Sequence, residues 1–238
     1  AESITAWGRF YIKKVITFAQ QAGFPVIYGD TDSLFMQVKS IKEAREFLRK
    51  ANQTLPGIME LDLSGIYKIG LFTLAKTGLA AKKRYALLDP KGKMVVRGFE
   101  KVRRDWSKIA KDTQEKVLEA ILKDESIPKA VAIAKRTIES LSKGNVGMDE
   151  LIIHTQITKP ISQYESISPH VAAAKKALDR GRMIGIGSTV RYIITKGTGS
   201  ISSKAEPVED AKNYDPDYYI NNQVIPAALR VLSGLGVS

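Results

Sequence analysis

The chain has 238 residues, 44% apolar and 26% charged, a balance that suits a folded protein with its own core and excludes a disordered one. Its 37 Lys and Arg against 25 Asp and Glu leave a net charge of +12. It has no cysteine, which excludes disulfide frameworks, zinc fingers, iron–sulfur clusters and cysteine nucleophiles and suits a reducing, cytoplasmic setting.

No apolar run approaches the roughly 18 residues of a membrane span, and no signal-like N-terminus is evident. The chain opens on Ala1 rather than Met, as a processed product or a fragment of a longer chain would. Residues 3–22 place Ile4, Trp7, Tyr11, Val15, Phe18 and Ala22 three and four apart, which predicts an amphipathic helix stopped by Gly23. Pro25–Tyr28 and Leu34–Val38 read as short strands, joined through Gly29-Asp30-Thr31-Asp32 as a hairpin. Ser40 and Glu43 form a capping box for a helix over 41–55, bounded by Pro56-Gly57. Residues 58–100 read as β structure with turns, in which Asp89-Pro90-Lys91-Gly92 joins strands Lys83–Leu88 and Lys93–Gly98.

From Trp106 the pattern is helical, over 106–123 and 128–142, the second with Pro128 in its first turn and Gly144 beyond its end. Leu151–Thr158 is a strand or an extended segment. Ser168 and Pro169 predict the N-cap and first position of another helix, closed by Gly181. Ser188–Thr195 alternates as a strand does, and Asp215-Pro216 opens a last helix to about Ser233, with Pro226 inside it as a kink or break. There is no internal repeat and no low-complexity tract. The change of character near residue 104 marks the domain boundary, giving 1–104 and 105–238.

The basic excess is concentrated. Residues 67–115 hold 13 basic and 5 acidic groups, whereas 1–66 hold 8 and 7, and 116–238 hold 16 and 13. Nucleic acid suits such a stretch, because neutralised phosphates release condensed counterions. A solvated basic face that aids solubility is the plain alternative.

YGDTDSLF, residues 28–35, is the most informative stretch. Residues two apart in a strand point the same way, so Asp30 and Asp32 can share a side, although a turn relaxes that parity. Two carboxylates held close between apolar strands repel each other and resist desolvation unless a cation neutralises them. Mg²⁺ answers this, because it takes hard oxygen ligands and completes its shell with waters and substrate phosphates. A pair of such ions stabilises both attacking and leaving oxygens in phosphoryl transfer. A polar hairpin turn is the plain alternative, since Asp, Gly and Thr favour turns in any case. His154 and His170 are the only histidines, and neither suggests a metal site.

In this context YGDTDSLF resembles the third conserved palm motif of B-family DNA polymerases. The resemblance continues through LFTLAKTGLAAKKRYALL, which holds that family's Lys-Lys-Arg-Tyr element at 82–85. GFEKVRRDWSKIAKDTQEKVLEAIL is similar to the start of the family's thumb, and SPHVAAAKKAL and YDPDYYINNQVIPAALRVL to later thumb segments. It covers essentially the whole chain in the right order and is closest to archaeal replicative enzymes. It implies an α+β fold: part of a polymerase palm, with antiparallel sheet and hairpin, over 1–104, then a mainly helical thumb over 105–238.

The resemblance also implies roles. Asp32 corresponds to a direct metal ligand and first catalytic candidate, with Asp30 nearby as the second. Tyr28 would face the primer terminus. Lys82, Lys83, Arg84 and Tyr85 would hold the duplex minor groove near the primer end. Strand alternation separates Lys83 and Tyr85 from Lys82 and Arg84, so that one pair touches DNA while the other packs or pairs. Arg103, Arg104 and Trp106 either bind phosphate or pair with Asp105 and pack. Ser168 and His170 sit at a helix N-terminus, where free N–H groups and the helix dipole favour a phosphate, with Lys175 and Lys176 further on; ordinary capping explains Ser168 equally well. Residues 74–81 look like a short insertion before the Lys-Lys-Arg-Tyr element.

The family's N-terminal domain, exonuclease, earlier palm aspartate motif and fingers helix have no counterpart in this sequence. The implied function is therefore the small chain of a DNA-directed DNA polymerase, a nucleotidyltransferase that uses Mg²⁺. It would be active only with a larger chain carrying the exonuclease, fingers and other palm aspartate. Primer–template DNA and deoxynucleoside triphosphates are its further partners, with no membrane. A fragment of a longer enzyme is the second origin, and a non-catalytic DNA-binding or scaffolding subunit is the alternative function.

Overall fold

A computed structural model describes residues 2–30, 32–74 and 80–237. Chain contacts divide the molecule into two units, 1–95 and 96–238. The change of character near residue 104 lies inside the second.

In the first unit, helix α1 (Glu2–Gln21) follows the apolar stripe of the sequence, and Gly23, at φ +85°, turns the chain out of it. Val15 and Ala19, toward its C-terminal end, are buried, whereas Trp7 and Phe10 stay 59% and 57% exposed. Strands β1 (Val26–Gly29) and β2 (Leu34–Met36) pair antiparallel. Ile27 is an extra residue in that ladder: Val26 faces Met36, and Tyr28 already faces Phe35. Such a bulge increases local twist and re-aims the residues that follow it.

Helix α2 (Ile41–Asn52) starts as the sequence predicts, with Ser40 Oγ accepting the Glu43 N–H at 3.2 Å. The Glu43 carboxylate closes the box on the Lys39 N–H at 2.6 Å, one residue earlier than the standard pattern. The helix ends at Asn52, short of residue 55, and the Asn52 side chain turns to Leu61, accepting its N–H at 2.8 Å and donating to its carbonyl at 3.0 Å. Phe47 and Ala51 of α2 join Val15 and Ala19 of α1 in a small core, with Phe18, Phe24, Val26, Leu34 and Met36 around it.

Strands β3 (Ile69–Leu74), β4 (Ala80–Leu88) and β5 (Met94–Arg97) form a second sheet in that order. Residues 58–68, expected as part of the β region, hold no strand. Pairing to Asn52, rather than to a neighbouring strand, fixes that segment at Leu61.

The second unit sets helices around a three-stranded antiparallel sheet. Its elements are α3 (Lys108–Leu122), α4 (Ile127–Ser142), β6 (Ile153–Gln156), α5 (Pro169–Asp179), β7 (Thr189–Ile194) and β8 (Ala205–Pro207). The sheet order is β6-β7-β8. Leu141, Leu151, Ile153, Tyr192, Ile193, Ile194 and Tyr219 lie together at its core. The last helical stretch changes type twice: α6 (Pro216–Tyr219), a π turn over Ile220–Val224, then α7 (Ile225–Leu232). Pro226 has no N–H and its ring would collide with the carbonyl four residues earlier. The wider π turn, in which the Ile225 N–H donates to Ile220, lets the chain continue through it without a break. The fold is therefore α+β, mixing helices with small antiparallel sheets.

Candidate functional site

The β1–β2 hairpin closes through the Asp30 N–H, which donates to the Ser33 carbonyl at 2.9 Å. Asp30 is half-buried at the end of β1 and Asp32 is exposed in the turn. Thr31 lies outside the described residues. The hairpin thus brings two carboxylates to one tight turn while its Val26, Leu34 and Met36 pack on the small core.

Tyr28, two residues before Asp30, is buried at 5% exposure. Its ring stacks on Phe72 of β3 (5.3 Å between centroids, 28° between planes) and meets Phe35 of β2 and Tyr85 of β4 at 5.9 and 6.0 Å. Phe35, Phe72 and Tyr85 also touch one another, at 5.1 to 5.7 Å. Four aromatic rings, two from the hairpin and two from the sheet, therefore clamp the aspartate turn to the basic strand. Offset and edge-on ring pairs of this kind add roughly 0.5–1.5 kcal/mol each beyond the area they bury.

The basic strand is not a regular ladder. Phe72 pairs with Tyr85, but the next pairing is Leu74 with Ala80. Thr73 alone is opposed by Ala81, Lys82, Lys83 and Arg84. Lys83 adopts a left-handed conformation, φ +55°, which costs a residue with a Cβ on the order of 1–2 kcal/mol. Its N–H donates to the Tyr28 hydroxyl at 2.7 Å, and the Thr73 hydroxyl donates to the Arg84 carbonyl at 3.4 Å. The expected alternation of Lys83 and Tyr85 against Lys82 and Arg84 is interrupted at Lys83, because a left-handed residue inside a bulge cancels the period of two; the Lys82 side chain lies outside the described residues. Lys83 is exposed, and Arg84 and Tyr85 are half-buried. Of the suggested insertion at 74–81, residues 75–79 lie outside the described residues.

In the second unit, Arg103 grips Asp105 with two hydrogen bonds of 3.0 and 2.6 Å, which raises the guanidinium pKa and lowers that of the carboxyl. Arg104 is exposed and Trp106 packs against the core. Ser168 occupies the N-cap position of α5, but its hydroxyl makes no cap bond; it pairs instead with His170 Nδ1 at 3.0 Å. Burial pushes the His170 pKa down, so the ring is neutral at pH 7. Lys175 is exposed. Lys176 is held by the carbonyls of Ser203 and Ala205 and by Glu206, at 2.5–2.9 Å, and serves the fold. On β6, burial and then the charges of Lys111 and Arg191 lower the His154 pKa.

A sequence model described as DNA polymerase family B matches residues 1–235. The chain belongs to DNA polymerase family B. The DNA polymerases of Thermococcus kodakarensis and Thermococcus sp. 9oN-7 are 45% and 44% identical to it over 99% of its length, and the match spans 14% and 31% of those proteins. The structure of the family B DNA polymerase from the hyperthermophilic archaeon Pyrobaculum calidifontis superposes with a TM-score of 0.71 at 38% identity, over 100% of this chain and 30% of that one. This family B chain thus spans less than a third of the length of these relatives.

Within the family B chain, the hard carboxylate oxygens of the aspartate turn suit a divalent cation such as Mg²⁺. Among the described residues, no group of three or more acidic, histidine or cysteine side chains forms a metal cluster. Asp30 and Asp32 are the two carboxylates that the turn offers such an ion. The sequence reading named Tyr28, Lys83 and Tyr85 but overlooked Phe35 and Phe72, which hold them together. A signal was present: Phe35 and Phe72 lie in strands on either side of these residues, inside the two motifs already singled out.

Proposed function

We propose that this chain supplies part of the palm, residues 1–104, and the thumb, residues 105–238, of a template-directed DNA polymerase that acts only with a larger chain. The observation that carries the reading is the aromatic clamp, which joins a two-aspartate turn to a basic strand within one unit. Phosphoryl transfer needs these two chemistries side by side: acidic ligands for a cation and basic groups for the nucleic-acid backbone.

Asp32, exposed on the turn, and Asp30 beside it would hold Mg²⁺. Bound there, the ion would polarise phosphate oxygens and ease ionisation of the primer 3′ hydroxyl. Lys82, Lys83, Arg84 and Tyr85 would bind the duplex near the primer end. In the thumb, Arg104 and Lys175 are exposed cations suited to backbone phosphates, which position DNA without reading its sequence. Arg103 reaches a phosphate only by sharing or leaving Asp105. His170, neutral at pH 7, offers a hydrogen bond in place of a charge. The exonuclease, the fingers and the other palm aspartate would come from the larger chain.

Primer extension by the assembled enzyme, with Mg²⁺ and all four deoxynucleoside triphosphates, tests this. Asp32→Asn should lower the rate by about a thousandfold, the several kcal/mol a Lewis-acid metal contributes at about 1.4 kcal/mol per tenfold. Duplex binding should stay within about twofold of the parent. Undiminished synthesis by the variant would remove the catalytic role and leave a DNA-binding or scaffolding subunit.

A further inference from the structure

Among the described residues, the Lys83 N–H lies where the pairing of β3 with β4 lapses, between Phe72–Tyr85 and Leu74–Ala80. Its acceptor is the hydroxyl of Tyr28, 55 residues earlier in the chain and 2.7 Å away. We propose that Tyr28 is a positioning residue for DNA binding: its hydroxyl locks the left-handed turn at Lys83, so that the basic strand takes its gripping shape only against the aspartate hairpin. The proposal rests on the reading that Lys83 binds DNA; in place of the expected role facing the primer terminus, the buried Tyr28 acts through Lys83 without touching the duplex.

Three features support it. Lys83 is not glycine, so its φ of +55° is disfavoured and needs something outside the strand to hold it. The Tyr28 ring cannot swing away, since Phe35, Phe72 and Tyr85 enclose it. The direction of a side chain follows its backbone φ, so release of Lys83 into extended geometry redirects its ammonium group. Tyr28 also lies in the same strand as Gly29, and Asp30 follows directly, so the lock ties the carboxylates and the lysine into one body. Without it, each would find the primer end separately and at a greater entropic cost.

Tyr28→Phe keeps the ring and removes only the hydroxyl. Hydrogen exchange on the full chain should show the Lys83 amide exchanging about fivefold faster or more, as loss of one hydrogen bond implies. The Asp30 amide, bonded to Ser33 in the same hairpin, should not change. Affinity for a short primer–template duplex should fall roughly fivefold in Tyr28→Phe and in Lys83→Ala, with a shallower salt dependence, by about one released counterion, in each. The double variant should bind no worse than the weaker single one, because both remove the same contact. Unchanged exchange at Lys83, or binding losses that multiply in the double variant, would overturn the proposal. Faster exchange at Lys83 in a chain that fails to bind duplex would leave the lock standing and bring down the DNA-binding reading beneath it.

Discussion

Tyr219 is fully buried, yet its hydroxyl donates to the Leu151 carbonyl at 2.9 Å and accepts the Ile194 N–H at 3.1 Å. One phenol thus satisfies the segment leading into β6 and the last residue of β7, both inside the core of the second unit. Gln114 does the same with an amide: its Nε2 reaches Glu100 and the Ala227 carbonyl, each at 2.7 Å, and its Oε1 accepts the Lys101 N–H at 2.8 Å. Such residues hold distant segments in register, because an unpaired buried polar group is costly. Tyr219→Phe strands two backbone groups at once and fills no new space. We expect it to destabilise the second unit by about 2–3 kcal/mol, toward the upper end for unsatisfied buried groups, read as a lower urea midpoint with an unchanged slope. A loss below about 0.5 kcal/mol would mean that water replaces the hydroxyl.

The elements that periodicity determines were legible in the sequence. The apolar stripe of α1, the cap of α2, the hairpin around the aspartates and the proline-opened α5 follow from residue spacing and local chemistry. Three features were not. The bulge at 81–84 depends on which amide finds a partner across the unit, and no local pattern encodes the Tyr28–Lys83 bond. Ser168 chooses His170 over the helix amides, a competition between two neighbours that composition alone leaves even. Strand β8, only Ala205–Pro207, is too short to show a period. In the candidate site the aspartates were legible as a motif, whereas the clamp that joins them to the basic strand was not, since it assembles rings from 28, 35, 72 and 85. The seat of the hairpin against α1 is equally non-local. A Cβ added at Gly29 would stand 3.0 Å from Ile16 Cδ1, tighter than ordinary contact. Gly29→Ala should therefore cost roughly 1 kcal/mol, at the low end for overpacking because a methyl tip can shift. Ile16→Val removes that tip, so adding it should recover most of the loss. Strictly additive unfolding energies in the double-mutant cycle would show that the helix does not press on the hairpin there.

At the scale of the whole molecule, burial opposes the ionisation of several tyrosines in the second unit. Burial pushes Tyr192 up to about 12 and raises Tyr214, Tyr218 and Tyr219 as well. An unfolded tyrosine ionises near pH 10, so the stability these groups carry is fully present below pH 10 and is lost as pH rises toward 12. Lys101 and Lys111, lowered by burial, act in the opposite direction, but both are only half-buried, and the enclosed tyrosines decide the sign. On the acid side, His154 and His170 are lowered by burial, so stability declines as pH falls below about 6.5, where unfolded histidines begin to take protons. Asp210, held down to about 2 by Arg182 and Arg180, adds a further loss from near pH 4 toward 2. The second unit should thus be most stable between about pH 7 and 10. The chain has two tryptophans, Trp7 in the first unit and Trp106 packed on the core of the second. In Trp7→Phe, fluorescence reports Trp106 alone, and its urea midpoint should be level from pH 7.5 to 9.5 and fall steeply by pH 11.5. A midpoint at pH 11.5 equal to that at pH 8 would mean that the buried phenols ionise without opening the unit, and the burial account of its alkaline limit would fail.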